Sequence, residues 1–175
     1  MSKAGVSLGR IYQIMSAEEE RDKPDAVTPD MHGDIRFEHV SFAYEGCPEI
    51  LSDINFSIKA GTTLGILGGT GSGKSTLMYL LDRLYDIPDG CGRITVGGVD
   101  IADMKAAWVR ENIGMVLQEP FLFSKSIAEN VGITKENIDL PEIRRAAKIA
   151  CLDDTVISFS KGYDTFVGER GVTLS

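Results

Sequence analysis

The chain has 175 residues, 43% of them hydrophobic and 25% charged, which is typical of a globular protein and argues against disorder. Its formal net charge of -8 argues against nucleic acid as a partner, because binding a phosphate backbone needs a surplus of Lys and Arg. No stretch approaches the roughly 20 apolar residues that span a bilayer, and the first ten residues lack the apolar core of a signal peptide, so a cytosolic segment is predicted. Cys47, Cys91 and Cys151 have no C-x-x-C spacing, so neither a disulfide framework nor a zinc site is predicted.

The first predicted element is a short helix followed by a linker. Leu8, Ile11, Tyr12 and Met15 fall at helical spacing and form an apolar face, which is too small to be a core by itself. The next stretch, SAEEERDKPDAVTPD, is charged and carries two prolines, as linkers do. The helix is either a surface helix of this domain or a segment of a preceding one.

From Asp34 the pattern becomes that of β-structure. DIRFEHVSFAY alternates up to Phe37, shifts phase and resumes at Val40, which predicts a bulge or a bend. A second alternating run, INFSI, leads to the turn signal Ala60-Gly61. We therefore expect two strands that form an early β region.

Helices and strands alternate in the rest of the chain. TTLGILGG and IGMVLQ are predicted to be short buried strands, and GRITVGGVDI a hairpin that turns at its Gly-Gly pair. STLMYLLDRLY, MKAAWVRENI and PEIRRAAKIACL are predicted to be helices. The last has Pro141 in its first turn and an apolar side of Ile143, Ala147 and Ala150. The predicted fold class is mixed α/β, without an internal repeat.

The segment GGTGSGKST contains the pattern G-x-x-x-x-G-K-S between a predicted strand and a predicted helix. Glycines let the backbone curl so that successive N–H groups point at one anion, and the following helix adds its positive end. Lys74 is placed to bridge the outer phosphates of a nucleotide, and the Ser75 hydroxyl to ligate its Mg²⁺. A glycine-rich turn with a solvated lysine is the alternative, which the flanking elements disfavour. The predicted cofactor-binding residues of this loop are Gly68, Gly69, Thr70, Gly71, Ser72, Gly73, Lys74, Ser75 and Thr76. The loop does not identify the reaction, because kinases, switches, motors and transporters share it.

Three more segments resemble the nucleotide-binding domain of ATP-binding cassette (ABC) transporters. VSFAYEG, IGMVLQEPFLFSKSIAENV and GYDTFVGERGVTLS surround the loop in the order of that family. The sequence patterns LF-x-x-SI-x-EN and VGERG resemble those of the exporter branch, in which each polypeptide fuses six membrane helices to this domain. The resemblance implies a P-loop NTPase fold, with an antiparallel β subdomain and the beginning of a helical subdomain. It also implies ATP and Mg²⁺ as cofactors.

The resemblance assigns roles to two residues outside the loop. Tyr44 matches the aromatic residue that stacks on adenine, for which a flat π-face is well suited. Gln118 matches the glutamine that touches magnesium and the attacking water, so it is a candidate metal ligand with Ser75 and a candidate catalytic residue with Lys74. Without the family, Tyr44 would be interpreted as a core residue and Gln118 as a surface residue.

The segment after Gln118 is implied to belong to a helical subdomain whose groove receives the coupling helix of the membrane domain. Phe121, Leu122 and Phe123 are candidates for that contact; alternatively, they close the subdomain's own core. The GERG segment at Gly168–Gly171 resembles one that lies close to the membrane domain's intracellular loops. Phe166 stands where many relatives carry an acidic residue, so the sequence supports no electrostatic role there.

The resemblance also bears on the two ends of the chain. In this family the final LS is followed by the GGQ of the signature motif, then by the Walker B strand, the catalytic glutamate and the switch histidine. We therefore expect residues 1–30 to be the end of a membrane-domain helix with an acidic linker, and residues 31–175 to be the N-terminal part of the nucleotide-binding domain. The neighbours of the TTLGILGG strand would follow Ser175, so its edge and apolar surface are expected to be exposed.

The leading hypothesis is the ATP-binding part of the ATPase domain of an ABC exporter, at the cytoplasmic face of a cell membrane. Two such domains would form a head-to-tail dimer around Mg-ATP, and hydrolysis would reset the membrane domain. The 175-residue chain alone is expected to be inactive, because the general base would lie in the absent part. A degenerate domain that binds ATP without hydrolysing it is one alternative. A soluble P-loop phosphoryl transferase is another, which would not explain Gln118 and GERG together. The transported substrate is chosen by membrane helices and is not readable here.

Overall fold

The computed structural model describes residues 12, 15, 16, 19–118, 121–135, 137 and 139–168. They fall into two compact units, unit 1 within Met1–Gly114 and unit 2 within Met115–Ser175. Among these residues, no helix combines the length and the apolar character needed to cross a bilayer. Tyr12 and Met15, the described members of the first predicted apolar face, are helical and mostly exposed. The domain boundary near residue 30 stays a prediction.

Unit 1 is built on an antiparallel sheet with the strand order β2-β1-β3-β4. The strands are β1 (Ile35–Ala43), β2 (Glu49–Ile58), β3 (Arg93–Val96) and β4 (Val99–Asp100). The predicted bulge is confirmed, because the register of β1 against β2 shifts between Phe37 and Val40. The predicted Gly-Gly turn is also confirmed: Gly97 and Gly98 have φ of 60° and 86°, as the tight hairpin turn requires.

Two helices pack in unit 1, α1 (Lys74–Leu81) and α2 (Ala106–Asn112). Helix α1 buries Leu77, Leu80 and Leu81, which lie three and four residues apart and therefore share one face. They join the apolar side of the sheet in one core, where each fully buried leucine contributes roughly 1.5–3 kcal/mol. This packing attaches the helix that follows the glycine-rich loop to the sheet.

Helix α1 ends at Leu81, although the sequence predicts a helix over residues 75–85. Arg83 adopts a left-handed conformation with φ of 52°, which stops the helix. The amides of Arg83 and Leu84 donate to the carbonyls of Leu80 and Tyr79, at 3.1 and 2.9 Å. This is a Schellman ending, in which the left-handed residue is usually glycine.

The two predicted buried strands, TTLGILGG and IGMVLQ, are not strands in the described structure. A strand requires a neighbour that takes up its backbone N–H and C=O groups, and no described strand lies beside either segment. Several of their apolar side chains are exposed as well, with Leu67 and Val116 each at 98%, whereas Ile66 and Ile113 are partly buried against the core. The prediction of regular strands was wrong, whereas the expected exposure of apolar surface in TTLGILGG is confirmed.

Unit 2 is helical, as predicted. Its helices are α3 (Ile127–Val131), α4 (Leu140–Ile149) and α5 (Asp153–Ser158). Ile143 and Ala147 of α4 are buried in its core, as predicted. Ala150, predicted to lie on the same apolar side, follows the last residue of α4 and is exposed. Helix α3 begins with a capping box in which Ser126 and Glu129 satisfy each other's backbone amides, as the S-x-x-E spacing allows.

Helix α5 begins with Asp153, whose buried carboxylate pairs with the partly exposed Arg144. Both carboxylate oxygens of Asp153 accept from Arg144, at 2.9 and 3.0 Å, and the Tyr163 hydroxyl donates to the same carboxylate at 2.8 Å. Hydrogen bonds from Arg144 and then from Tyr163 lower the pKa of the Asp153 carboxyl from 3.8 to about 2. The ionised form is therefore bound more tightly in the folded state than in the unfolded one.

The stability of unit 2 is expected to depend on this carboxylate. Folding lowers the pKa of the Asp153 carboxyl. Its contribution to folding stability is therefore complete above pH 3.8 and is lost as the pH falls towards 2. The Asp153→Asn variant should therefore unfold at a lower temperature than the wild type at neutral pH, and this difference should shrink over that pH range. Thermal unfolding followed by circular dichroism measures it. The control is Asp154→Asn, a change at an exposed neighbour on the same helix. If the difference in unfolding temperature between Asp153→Asn and the wild type does not change with pH, the assignment is contradicted.

Candidate nucleotide-binding site

The loop over residues 68–73 leads directly into helix α1. Gly71 and Gly73 have φ of 80° and 83°, conformations that other residues rarely adopt. Gly73 is also the N-cap residue of α1 and is buried against Leu51. Backbone conformation therefore favours glycine at both positions, and at Gly73 the close contact does so as well.

The amino-terminal end of α1 is suited to an anion. No described side chain caps it, and its first turn has no acidic residue. The first backbone N–H groups of a helix lack partners within the helix and carry partial positive charge. They form a ready site for a phosphate group.

Lys74 is folded over the loop that precedes it. Its ammonium donates to the carbonyls of Gly68 and Gly69, at 2.8 and 2.6 Å, and to the Ser72 hydroxyl at 3.3 Å. These contacts place a cation within the curve of the loop, beside the first turn of α1. The arrangement brings together the parts that a polyphosphate would contact.

Tyr44 follows β1 and lies in an aromatic cluster. Its ring is edge-on to Phe42 and Tyr85, with ring centroids 5.1 and 5.0 Å away. Its hydroxyl and that of Thr76 are hydrogen-bonded at 3.0 Å, which ties Tyr44 to the buried last residue of the loop motif. The structure thus brings Tyr44 to the end of the loop motif through a hydroxyl contact that no sequence pattern indicates.

Two other predicted residues lie on the surface. Ser75 is exposed in the first turn of α1, and Gln118 is exposed in unit 2. The metal-binding and catalytic roles of both residues stay predictions.

The residues predicted to contact a coupling helix, Phe121 to Phe123, differ in their burial in unit 2. Leu122 packs against the buried core, as the core alternative predicted. Phe121 and Phe123 are 59% and 47% exposed, and their rings meet edge-to-face at 4.9 Å. The Asn130 side chain holds the backbone of Phe123 by two hydrogen bonds, at 2.8 and 3.0 Å. Of the GERG segment only Gly168 is described; its other three residues lie outside the described residues.

Sequence reasoning missed a cluster of charged residues at the carboxyl end of α1. Glu20 and Asp22, from the predicted linker, contact Arg110 and Arg83 respectively. Their only sequence signal is charge, which the linker shares with ordinary solvated segments. We call Glu20, Asp22, Arg83 and Arg110 the connector cluster.

Comparisons with known proteins agree with this geometry. The family model described as ABC transporter matches residues 51–168. The uncharacterized ABC transporter ATP-binding protein YfiB of Bacillus subtilis (strain 168) is 43% identical over 99% of this chain. The exotoxin translocation ATP-binding protein PaxB of Pasteurella aerogenes is 37% identical, also over 99% of it.

Among solved structures, that of a bacterial Atm1-family ABC exporter with ATP bound superposes with a TM-score of 0.84. It is 34% identical and covers 97% of this chain. The chain spans 30% of that exporter and of YfiB, and 24% of PaxB. The phosphate-type loop, the antiparallel sheet beside it and these matches lead to one conclusion: the chain belongs to the ABC transporter family, in which it matches the nucleotide-binding domain of exporters.

Proposed function

We propose that the chain binds Mg-ATP on the loop over residues 68–76 and forms part of the ATPase domain of an exporter. The observation that carries this is the loop itself. It has two left-handed glycines, leads into a helix end that no described side chain caps, and holds the Lys74 ammonium inside its curve. The likeness to an exporter structure described as having ATP bound supports the same ligand.

The loop residues would divide the work between phosphates and metal. Lys74 and the backbone N–H groups of the first turn of α1 would bind the β- and γ-phosphates. The Ser75 hydroxyl and the Gln118 amide oxygen are oxygen donors of the kind that Mg²⁺ takes, and bound Mg²⁺ would neutralise phosphate charge. Gln118 would also orient the water that attacks the γ-phosphate. The protein's contribution is positioning and electrostatic stabilisation, without a covalent intermediate.

The partners proposed for the whole protein follow from the family. A second nucleotide-binding domain would complete the site in a head-to-tail dimer, and residues 1–30 would lead from a membrane domain. Phe121 and Phe123 are exposed apolar residues of unit 2 and would contact a coupling helix of that membrane domain. The chain would then work at the cytoplasmic face of the membrane.

The role proposed for Tyr44 separates its ring from its hydroxyl. Tyr44→Ala should weaken ATP binding by about 1–3 kcal/mol, the usual contribution of stacking on a base. Tyr44→Phe keeps the ring and loses only the bond to Thr76, so it should cost about 0.5–1.5 kcal/mol of folding stability and leave ATP affinity nearly unchanged. Titration with a fluorescent ATP analogue and thermal unfolding measure the two effects.

Thr76→Val removes the other end of the same hydrogen bond and keeps the shape. It should lower the folding stability by a similar amount, which checks the stability cost assigned to this bond. If Tyr44→Phe weakens ATP binding as much as Tyr44→Ala does, the hydroxyl rather than the ring contacts the nucleotide, and the stacking role is wrong.

Hydrolysis tests the proposed function as a whole. A polypeptide that continues through the family's signature and Walker B segments should release phosphate from Mg-ATP when the residue after Walker B is glutamate. The 175-residue chain should release none above its Lys74→Ala variant. Binding without hydrolysis by the longer polypeptide would favour the degenerate-domain alternative. Lysine-dependent turnover by the 175-residue chain alone would contradict the proposed scheme.

A further inference from the structure

The connector cluster links the segment around residues 20–22 to both helices of unit 1. One carboxylate oxygen of Asp22 accepts from the backbone N–H of Ala106, the first residue of α2, at 2.9 Å. The same oxygen accepts from the Arg83 guanidinium at 3.3 Å. Glu20 forms a two-pronged pair with Arg110 of α2, at 2.8 and 2.6 Å. Pairs of this geometry are directional as well as attractive.

The two arginines continue this link to the carboxyl end of α1. The Arg110 guanidinium donates to the backbone carbonyl of Asp82 at 3.3 Å and to that of Arg83. Arg83 in turn donates to the carbonyl of Met104. A cation at the carboxyl end of a helix is favourable, because the last carbonyls lack partners and carry partial negative charge. Both carboxylates of the connector cluster therefore act on the end of the helix whose other end holds the loop.

Arg83 occupies a position that suits its side chain better than its backbone. It is the left-handed residue of the Schellman ending, where an L-residue other than glycine costs roughly 1 kcal/mol. Its side chain is nevertheless only 6% exposed and is held between Asp22 and Met104. The guanidinium, rather than the turn, explains why an arginine fits here.

Hydrogen bonding in the connector cluster and at the neighbouring Asp82 is incomplete. The Arg83 Nε and the Asp82 Oδ1 are buried, and no described residue provides them with a hydrogen-bond partner. Buried polar atoms in this state cost free energy, so a small movement that supplied partners would be favourable.

We propose that Arg83 and Arg110 are positioning residues that couple the segment around residues 20–22 to nucleotide binding through helix α1. The helix has eight residues and is therefore about 12 Å long, so a tilt imposed at Arg83 is transmitted to Lys74 at the other end. The inference rests on the proposed function, in which this segment leads from the membrane domain. Nucleotide binding and the position of the segment then influence each other by the same factor.

The test uses the 175-residue chain with Mg-ATP, and the variants Asp22→Asn and Arg83→Gly. Arg83→Gly removes the guanidinium and relieves the backbone, so loss of folding is not its expected effect. Each variant should weaken Mg-ATP binding by at least about fivefold, the lower end of typical coupling between sites. In the wild type, Mg-ATP should slow hydrogen exchange of the peptides covering residues 20–31 and 104–110 by a similar factor, and in the variants it should not.

Lys23→Ala is the matched control, because Lys23 lies in the same segment but pairs with Asp103 outside the connector cluster. It should leave both the affinity and the exchange response unchanged. If the variants speed hydrogen exchange of residues 20–31 but bind Mg-ATP as the wild type does, the cluster only holds this segment in place, and the proposal is overturned. If the wild type does not bind Mg-ATP at all, the proposed function fails and the coupling fails with it. Exchange of the β1 peptide reports that the fold is intact.

Discussion

Replacing Lys74 by Ala is expected to weaken Mg-ATP binding by more than about tenfold, or at least about 1.4 kcal/mol, as for the loss of a charge-assisted contact. The ammonium lies inside the curve of the loop, where it donates to the carbonyls of Gly68 and Gly69. No other described lysine or arginine donates to the carbonyls of that loop, so the change should remove a cation that its neighbours do not replace. Titration with a fluorescent ATP analogue measures the loss.

Lys59→Ala is the matched control for this change, because Lys59 is an exposed lysine at the end of β2, away from the loop motif in sequence. It should bind Mg-ATP with the affinity of the wild type. Thermal unfolding of both variants shows whether the fold persists. Unchanged affinity in a folded Lys74→Ala protein would contradict the assignment of the phosphate site.

Gly73→Ala is expected to be the more damaging of two similar changes in the loop. Gly71 and Gly73 both have left-handed φ, so alanine at either position should cost about 1–2 kcal/mol of stability. A Cβ at Gly71 would have no described atom within 4 Å. A Cβ at Gly73 would lie 2.6 Å from the side chain of buried Leu51 and 3.2 Å from the Ile50 carbonyl, which should add about 1–3 kcal/mol of overpacking.

Comparing Gly71→Ala with Gly73→Ala separates the cost of the left-handed backbone from the cost of the contact with Leu51. Chemical denaturation measures the stability of each variant. Gly73→Ala should also weaken Mg-ATP binding, because displacing the N-cap residue moves the first amides of α1. Equal losses of stability in the two variants would mean that the contact with Leu51 relaxes without cost. The loop would then be less rigidly held by β2 than the structure indicates.

Local chemistry is what the sequence predicted well. The bulge in β1 and the Gly-Gly hairpin each depend on residues a few positions apart, and the sequence shows those residues directly. The left-handed backbone at Gly71 and Gly73 belongs to the same class, because the whole loop motif spans nine consecutive positions. The nucleotide-binding role of the motif stays a prediction.

What depends on distant partners was predicted poorly. TTLGILGG and IGMVLQ have the composition of buried strands, yet a strand also needs a neighbour, and composition does not supply one. Helix α1 ends early because Arg83 turns left-handed, which helical periodicity does not show. The hydroxyl contact between Tyr44 and Thr76 joins residues 32 positions apart, and Glu20 lies 90 positions from Arg110. No pattern in the sequence marks such pairs.

The central claim is that Mg-ATP binds the loop over residues 68–76, and the most direct test is to locate the nucleotide on the chain. Backbone amide chemical shifts of the 175-residue chain, recorded during a titration with Mg-ATP, locate the bound phosphates without any substitution. The largest changes are expected at the amides of Gly71 to Thr76, with smaller ones near Tyr44, and they should saturate with a single affinity. Saturable binding that leaves the amides of residues 68–76 unchanged and perturbs another part of the chain would contradict the proposed site.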